Sequence, residues 1–135
     1  MQSNLWQSEA QVLYVDDEPD LLESIRLILE EDPNLKVDIC NSPQMALQQL
    51  KTRVYDCIIS DYQMPGLSGI EFLKELRKQG IPIPFIILTG RGREEVVIEA
   101  LNNGATYYLQ KGGPSLPMLA ELRNCISQAI ERRRA

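Results

Sequence analysis

A chain of 135 residues can bury the core of one ordinary domain without staples, and it leaves no room that calls for a second. Its formal charge of -5 and pI of about 4.8 repel phosphate backbones and anionic bilayers, so neither direct nucleic-acid binding nor membrane binding is expected. The complete lack of histidine excludes imidazole metal sites, Ser-His and Cys-His nucleophile pairs and a phosphohistidine carried by this chain. Carboxylates, hydroxyls, lysine and a bound metal are left to carry any chemistry.

The opening "MQSNLWQSEA" lacks the charged start and apolar centre of a signal peptide, and no apolar stretch approaches the roughly 20 residues that span a bilayer. Residues 1–10 therefore read as an N-terminal extension of a cytoplasmic protein, and Trp6 within them receives no function. The first apolar run, "VLYV" (12–15), reads as a strand; Asp16, Asp17 and Glu18 follow it, and Pro19 opens a helix marked by Leu21, Ile25, Ile28 and Leu29. "VDIC" (37–40) alternates in polarity, which predicts an edge strand, and Pro43 opens the next helix. "CIIS" (57–60) is continuously apolar and stops at Asp61, before Gln63 and a Pro65-Gly66 turn. A Ser68-x-x-Glu71 capping box then starts a helix bearing Ile70, Leu73 and Leu76, closed by Gly80.

"FIIL" (85–88) leads to Thr89 and Gly90, and the following helix carries Val97, Ala100 and Leu101 before Gly104. "TYYL" (106–109) leads to Lys111, an elbow at Gly112-Gly113-Pro114, and a last helix with Leu119, Leu122, Ile126 and Ile130. Arg132, Arg133 and Arg134 read as a solvated helix end, where cations suit the dipole. The pattern "QAIERRRA" has no stop signal, so residues 133–135 are expected to begin a linker to further domains. Cys40, Cys57 and Cys125 form no CxxC pair and read as reduced thiols, the first two inside apolar runs.

Strict strand-helix alternation predicts an α/β fold with a parallel sheet covered on both faces and the second strand outermost. Ligands of such doubly wound sheets bind beyond the carboxyl ends of the strands. Collected there are Asp16 and Asp17, Asp61, Thr89 and Lys111. Three carboxylates in one cleft repel one another, and one lysine cannot balance them, so a divalent cation is expected. Oxygen-only donors with room for water suit Mg²⁺, with Gln63 placed to add its backbone carbonyl. A carboxylate oxygen of Asp61 could then attack phosphorus in line and form an acyl phosphate.

The segments "VLYVDDEPDLL", "IISDYQMPGLSGIEFL", "IILTG" and "YYLQKG" resemble, in order and spacing, the motifs of two-component response-regulator receiver domains of the chemotaxis-regulator type. The resemblance covers residues 11–132, nearly the whole chain. It implies a flavodoxin-like doubly wound five-stranded parallel sheet in the order 2-1-3-4-5 with five helices. It implies Asp61 as phosphoacceptor, Asp16, Asp17, Asp61 and the Gln63 carbonyl around Mg²⁺ with Asp16 acting through water, and Thr89 and Lys111 on the phosphoryl group. Tyr108 falls on the aromatic switch position that works with Thr89, and Gln63 and Arg91 fall on positions that tune dephosphorylation. A sensor histidine kinase as phosphohistidine donor, a downstream output domain or protein, and a homodimer contact through the last two helices are implied partners. The form "YYLQKGG" also resembles receivers of methanogenic archaea fused to sensor and kinase modules. One departure is Gly112, where the family commonly has a cis proline after the lysine. A cis bond before a non-proline residue costs about 2.5–4 kcal/mol, so a trans bond and a looser loop that still delivers the ammonium are expected.

Taken singly these residues have plainer readings. Asp61 can cap a turn, Asp16-Asp17-Glu18 can be an acidic helix start, Thr89 can be a cap, and Tyr108 can be packing. Two other functions compete with the signalling receiver. A Mg²⁺-dependent phosphohydrolase with an aspartyl-phosphate intermediate would place its acids as DxD on one strand and carry a cap insertion, and neither is present. A phosphorylation-independent interaction module would have no use for the full acid set.

Overall fold

The computed structural model describes residues 9–90, 94–110 and 116–134. Five strands alternate with five helices: β1 (Ala10–Val15), α1 (Pro19–Leu29), β2 (Leu35–Cys40), α2 (Pro43–Gln49), β3 (Cys57–Asp61), α3 (Gly69–Lys78), β4 (Phe85–Thr89), α4 (Glu94–Asn102), β5 (Tyr107–Gln110) and α5 (Leu116–Arg134). The strands form one parallel sheet in the order β2-β1-β3-β4-β5, with the half-exposed β2 at an edge as its alternation predicts. β3 and β4 are buried along their whole length, which is why they read as unbroken apolar runs.

The period-2 alternation of strand side chains builds two cores. On one face Val12, Tyr14, Cys57, Ile59, Ile86 and Leu88 pack with Leu22, Ile25 and Leu29 of α1 and Leu122, Ile126 and Ile130 of α5. On the other, Leu13, Val15, Ile58, Phe85 and Ile87 pack with Ile70, Phe72, Leu73 and Leu76 of α3 and with Ala46, Val96 and Ala100 of α2 and α4. Each fully buried aliphatic side chain of this kind contributes about 1.5–3 kcal/mol. Met64 and Met118 fill gaps in these cores.

Local chemistry sets the helix starts. Pro19 and Pro43 stand in the first turns of α1 and α2, where a missing N–H costs nothing. Ser68 and Glu71 form the complete capping box of α3: the Ser68 hydroxyl accepts from the Glu71 N–H at 3.1 Å, and the Glu71 carboxylate accepts from the Ser68 N–H at 2.8 Å. Gly80 and Gly104 take left-handed φ values of 76° and 96° just past α3 and α4.

One helix face departs from its predicted pattern. α4 buries Val96 and Ala100, whereas Val97 is half-buried and Leu101 is 47% exposed, alongside Ile98 at 61%. The run from Val96 to Leu101 is apolar on nearly every side, so spacing alone cannot choose a face, and the sheet margin over β4 and β5 covers only one.

At the β2 edge, the Tyr55 hydroxyl donates to Asp38 Oδ2 at 2.6 Å with Gln49 Oε1 also 3.1 Å away, and the Cys40 thiol donates to that Gln49 oxygen at 3.4 Å. Burial, then the Asp38 charge, pushes the Cys40 thiol from 9.0 up to about 11. Burial together with Asp38 likewise pushes the Tyr55 phenol up to about 12. Both raised groups are held neutral by the fold, so their contribution is complete below pH 9 and is lost as the folded groups ionise. Urea unfolding is therefore expected to show stability falling between about pH 9 and 12. In Cys40→Ala the lower part of that fall should flatten.

Candidate functional site

Register brings the acids together. Val15, the last residue of β1, pairs with Ser60 of β3, so Asp16 and Asp61 each stand one step further along neighbouring strands. Carboxylate oxygens of Asp16, Asp17 and Asp61 all lie within 4.8 Å of one another. Asp16 is fully buried, Asp61 is 7% exposed, and Asp17 faces solvent. A cleft of about 340 Å³, lined by Asp17, Glu18, Asp61, Tyr62, Gln63 and Gly90, opens above them. That volume accommodates a phosphoryl group and a hydrated ion.

The surrounding backbone holds Asp61 in place. The Tyr62 N–H donates to the Leu88 carbonyl at 2.8 Å, which carries the β3 to β4 ladder past Asp61, and the Ser60 hydroxyl donates to the Asp61 carbonyl at 3.0 Å. The chain then turns through Pro65 and Gly66, whose φ of 86° is left-handed, and returns so that the Gly69 N–H donates to the Tyr62 carbonyl at 2.8 Å. Gly69 comes so near that a Cβ there would sit 2.4 Å from the Asp61 carbonyl oxygen.

Asp16 is held from both sides. Its Oδ2 accepts from the Tyr14 hydroxyl and its Oδ1 from the Glu18 N–H, each at 3.1 Å. Burial, then the Asp16 charge and hydrogen bond, then the Asp61 and Glu18 charges, push the Tyr14 phenol well above its ordinary value, so it remains a donor.

Thr89 ends β4, buried, and pairs with Gln110 of β5. Tyr108 pairs with Ile87, two residues before Thr89, so Thr89 and Tyr108 belong to the sheet face that packs on α4. Tyr108 is 43% exposed. Lys111, Arg91 and the Lys111-Gly112 peptide lie outside the described residues, as does Trp6. Asp16, Asp17 and Asp61 are thus brought together, with Gln63 on the cleft wall and Thr89 at the end of the next strand. Sequence reading missed Tyr14 and Gly69. Tyr14 stands two residues before Asp16 on one strand, a spacing that places both on one face, but in "VLYV" it counted only as a β-former.

The family model described as response regulator receiver domain matches residues 12–123. The chain belongs to this receiver-domain family. It is 30% identical over 122 residues to the transcriptional regulatory protein FixJ of Bradyrhizobium diazoefficiens, covering 90% of this chain and 59% of that protein. It is 32% identical over 114 residues to the phosphate regulon transcriptional regulatory protein PhoB of Escherichia coli, covering 83% of this chain and 49% of PhoB. The receiver therefore spans less than two thirds of the length of these relatives. Among solved structures, the receiver domain of the Francisella response regulator 1452 superimposes with a TM-score of 0.83 at 33% identity, over 93% of this chain and 99% of that one. The chemotaxis response regulator CheY4 of Vibrio cholerae superimposes with a TM-score of 0.76 at 29% identity, over 87% and 99%. The chain is a receiver domain of the two-component response regulators, a signalling domain with the flavodoxin-like fold. Receiver domains bind Mg²⁺ at an acidic pocket, and this one has an aspartate cluster at the corresponding end of its sheet. Among the described residues no helix is long and apolar enough to cross a membrane.

The close approach of Gly69 makes it the backbone support of Asp61. Gly69→Ala is expected to destabilise the fold by about 1–3 kcal/mol in urea unfolding, as overpacking does. It should also shift the backbone amide resonances of Asp61 and Tyr62, because the displaced atom is their own peptide oxygen.

Proposed function

We propose that this receiver accepts a phosphoryl group on Asp61, with Mg²⁺ held by Asp16, Asp17, Asp61 and the Gln63 carbonyl, and relays the modification as a conformational signal. The observation that carries the reading is the mutual approach of three carboxylates within 4.8 Å at the sheet's carboxyl edge. An all-oxygen donor set of this charge fits a hard divalent cation. When bound, the ion neutralises charge on the transferring phosphoryl group and on the acids around it.

Asp61 supplies the nucleophile. One of its carboxylate oxygens forms the new bond to phosphorus as the donor's phosphorus-nitrogen bond breaks, and the leaving imidazole keeps the electron pair and takes up a proton. Positioning and electrostatics account for most of the acceleration. Tyr62 and Gly69 fix the Asp61 backbone. Thr89 and Lys111 are assigned to the phosphoryl oxygens, and Gln63 and Arg91 to the approach of the water that later hydrolyses the acyl phosphate. Autophosphorylation and dephosphorylation are the only reactions assigned to the chain. Thr89 and Tyr108, on one sheet face beside α4, form the switch, and a bias of about 1–3 kcal/mol between two arrangements suffices for signalling.

The donor in this reading is a sensor histidine kinase, and an output domain or protein reads the result in the cytoplasm. The receiver unit spans residues 11–132. Exposed Ile98, Leu101 and Tyr108 support a homodimer contact on the face that includes the last two helices.

Incubation with Mg²⁺ and acetyl phosphate is expected to add one phosphoryl group by intact mass, and the addition should vanish in Asp61→Ala and on chelation of the metal. An unmodified wild-type chain sinks the proposal. Multiple-turnover release of phosphate from small phosphomonoesters would replace it with a hydrolase.

A further inference from the structure

We propose that Tyr14 is a positioning residue of the acid site, holding the Asp16 carboxylate in the orientation that binds Mg²⁺. The inference rests on the assignment of Asp16 to the metal.

Asp16 is buried, and a buried carboxylate is tolerated only when its oxygens are hydrogen-bonded. Its two oxygens accept from donors of different kinds: the Glu18 backbone N–H on Oδ1 and the Tyr14 hydroxyl on Oδ2. The Glu18 donor comes from the loop into α1 and is a backbone N–H, present for any residue but proline at position 18. The Tyr14 donor depends on one side chain. Strand alternation places it directly beneath Asp16, and its ring is fully buried in the core that includes Leu22, Ile25, Ile59 and Leu88. A packed ring has few alternative rotamers, so the hydroxyl is presented at a set point and not by a mobile arm. Phenylalanine would fill nearly the same space, so packing alone gives no reason for the hydroxyl. What the oxygen adds is a grip on one carboxylate oxygen, which fixes the plane of the group. Donors of this kind behind a metal ligand commonly account for 10–100-fold in metal affinity.

The test uses the whole chain and Mg²⁺ alone, by calorimetric titration. Tyr14→Phe is expected to weaken Mg²⁺ binding by about tenfold and to shrink the rise in Tm that Mg²⁺ confers. In an Asp16→Asn background the same substitution should cause no further weakening. A wild-type chain that binds Mg²⁺ with Tyr14→Phe within about twofold of it overturns the inference and leaves the metal assignment standing. Equal weakening with and without Asp16 also overturns it, because the effect would then be general loosening. A wild-type chain that binds no Mg²⁺ overturns both. Should Tyr14→Phe fail to fold, wild-type protein labelled at the tyrosine ring carbon that bears the hydroxyl decides the matter. The Tyr14 resonance is expected to move on Mg²⁺ titration with the midpoint of binding, and a stationary resonance overturns the inference.

Discussion

The repulsion among three carboxylates at one edge of a parallel sheet is the constraint around which this molecule is organised. Parallel register forces the ends of β1 and β3 side by side, and each end presents an acid. While the ladder holds, the backbones of Asp16 and Asp61 stay side by side, so the charge is met where it stands. On Asp16 part of it is met by hydrogen-bond donors, the Tyr14 hydroxyl and the Glu18 N–H.

Much of this was legible in the residues. The apolar runs ending in Asp16, Asp61 and Thr89 marked both the strands and the edge at which a ligand would bind, because in a doubly wound sheet the carboxyl ends of all strands point the same way. The alternation of "VDIC" placed β2 at the margin, and the capping box located the start of α3. What periodicity could not convey was the third dimension of contacts that skip the pattern. Gly69 looked like an ordinary residue after a cap; only its proximity to the Asp61 carbonyl shows why no side chain fits there. Tyr14 was hidden for the opposite reason, since an aromatic in a buried strand needs no further explanation until its hydroxyl finds a carboxylate. The choice of face in α4 failed because the apolar residues between Val96 and Leu101 lie on more than one side of the helix.

Thr89 and Tyr108 share the sheet face on which α4 rests, and among the described side chains of α4 Val96 and Ala100 are the buried ones. A helix anchored by so few residues is cheaper to shift than α3, which buries Ile70, Phe72, Leu73 and Leu76.

The hydrogen bond from the Gly69 N–H to the Tyr62 carbonyl closes the segment between them into a ring. Pro65 and Gly66 form its outer rim, where the left-handed Gly66, with Gln44 Nε2 3.2 Å from where a Cβ would sit, leaves little room for a side chain. That rim sets the shape offered to whatever approaches the cleft, while the backbone of Asp61 stays anchored below it.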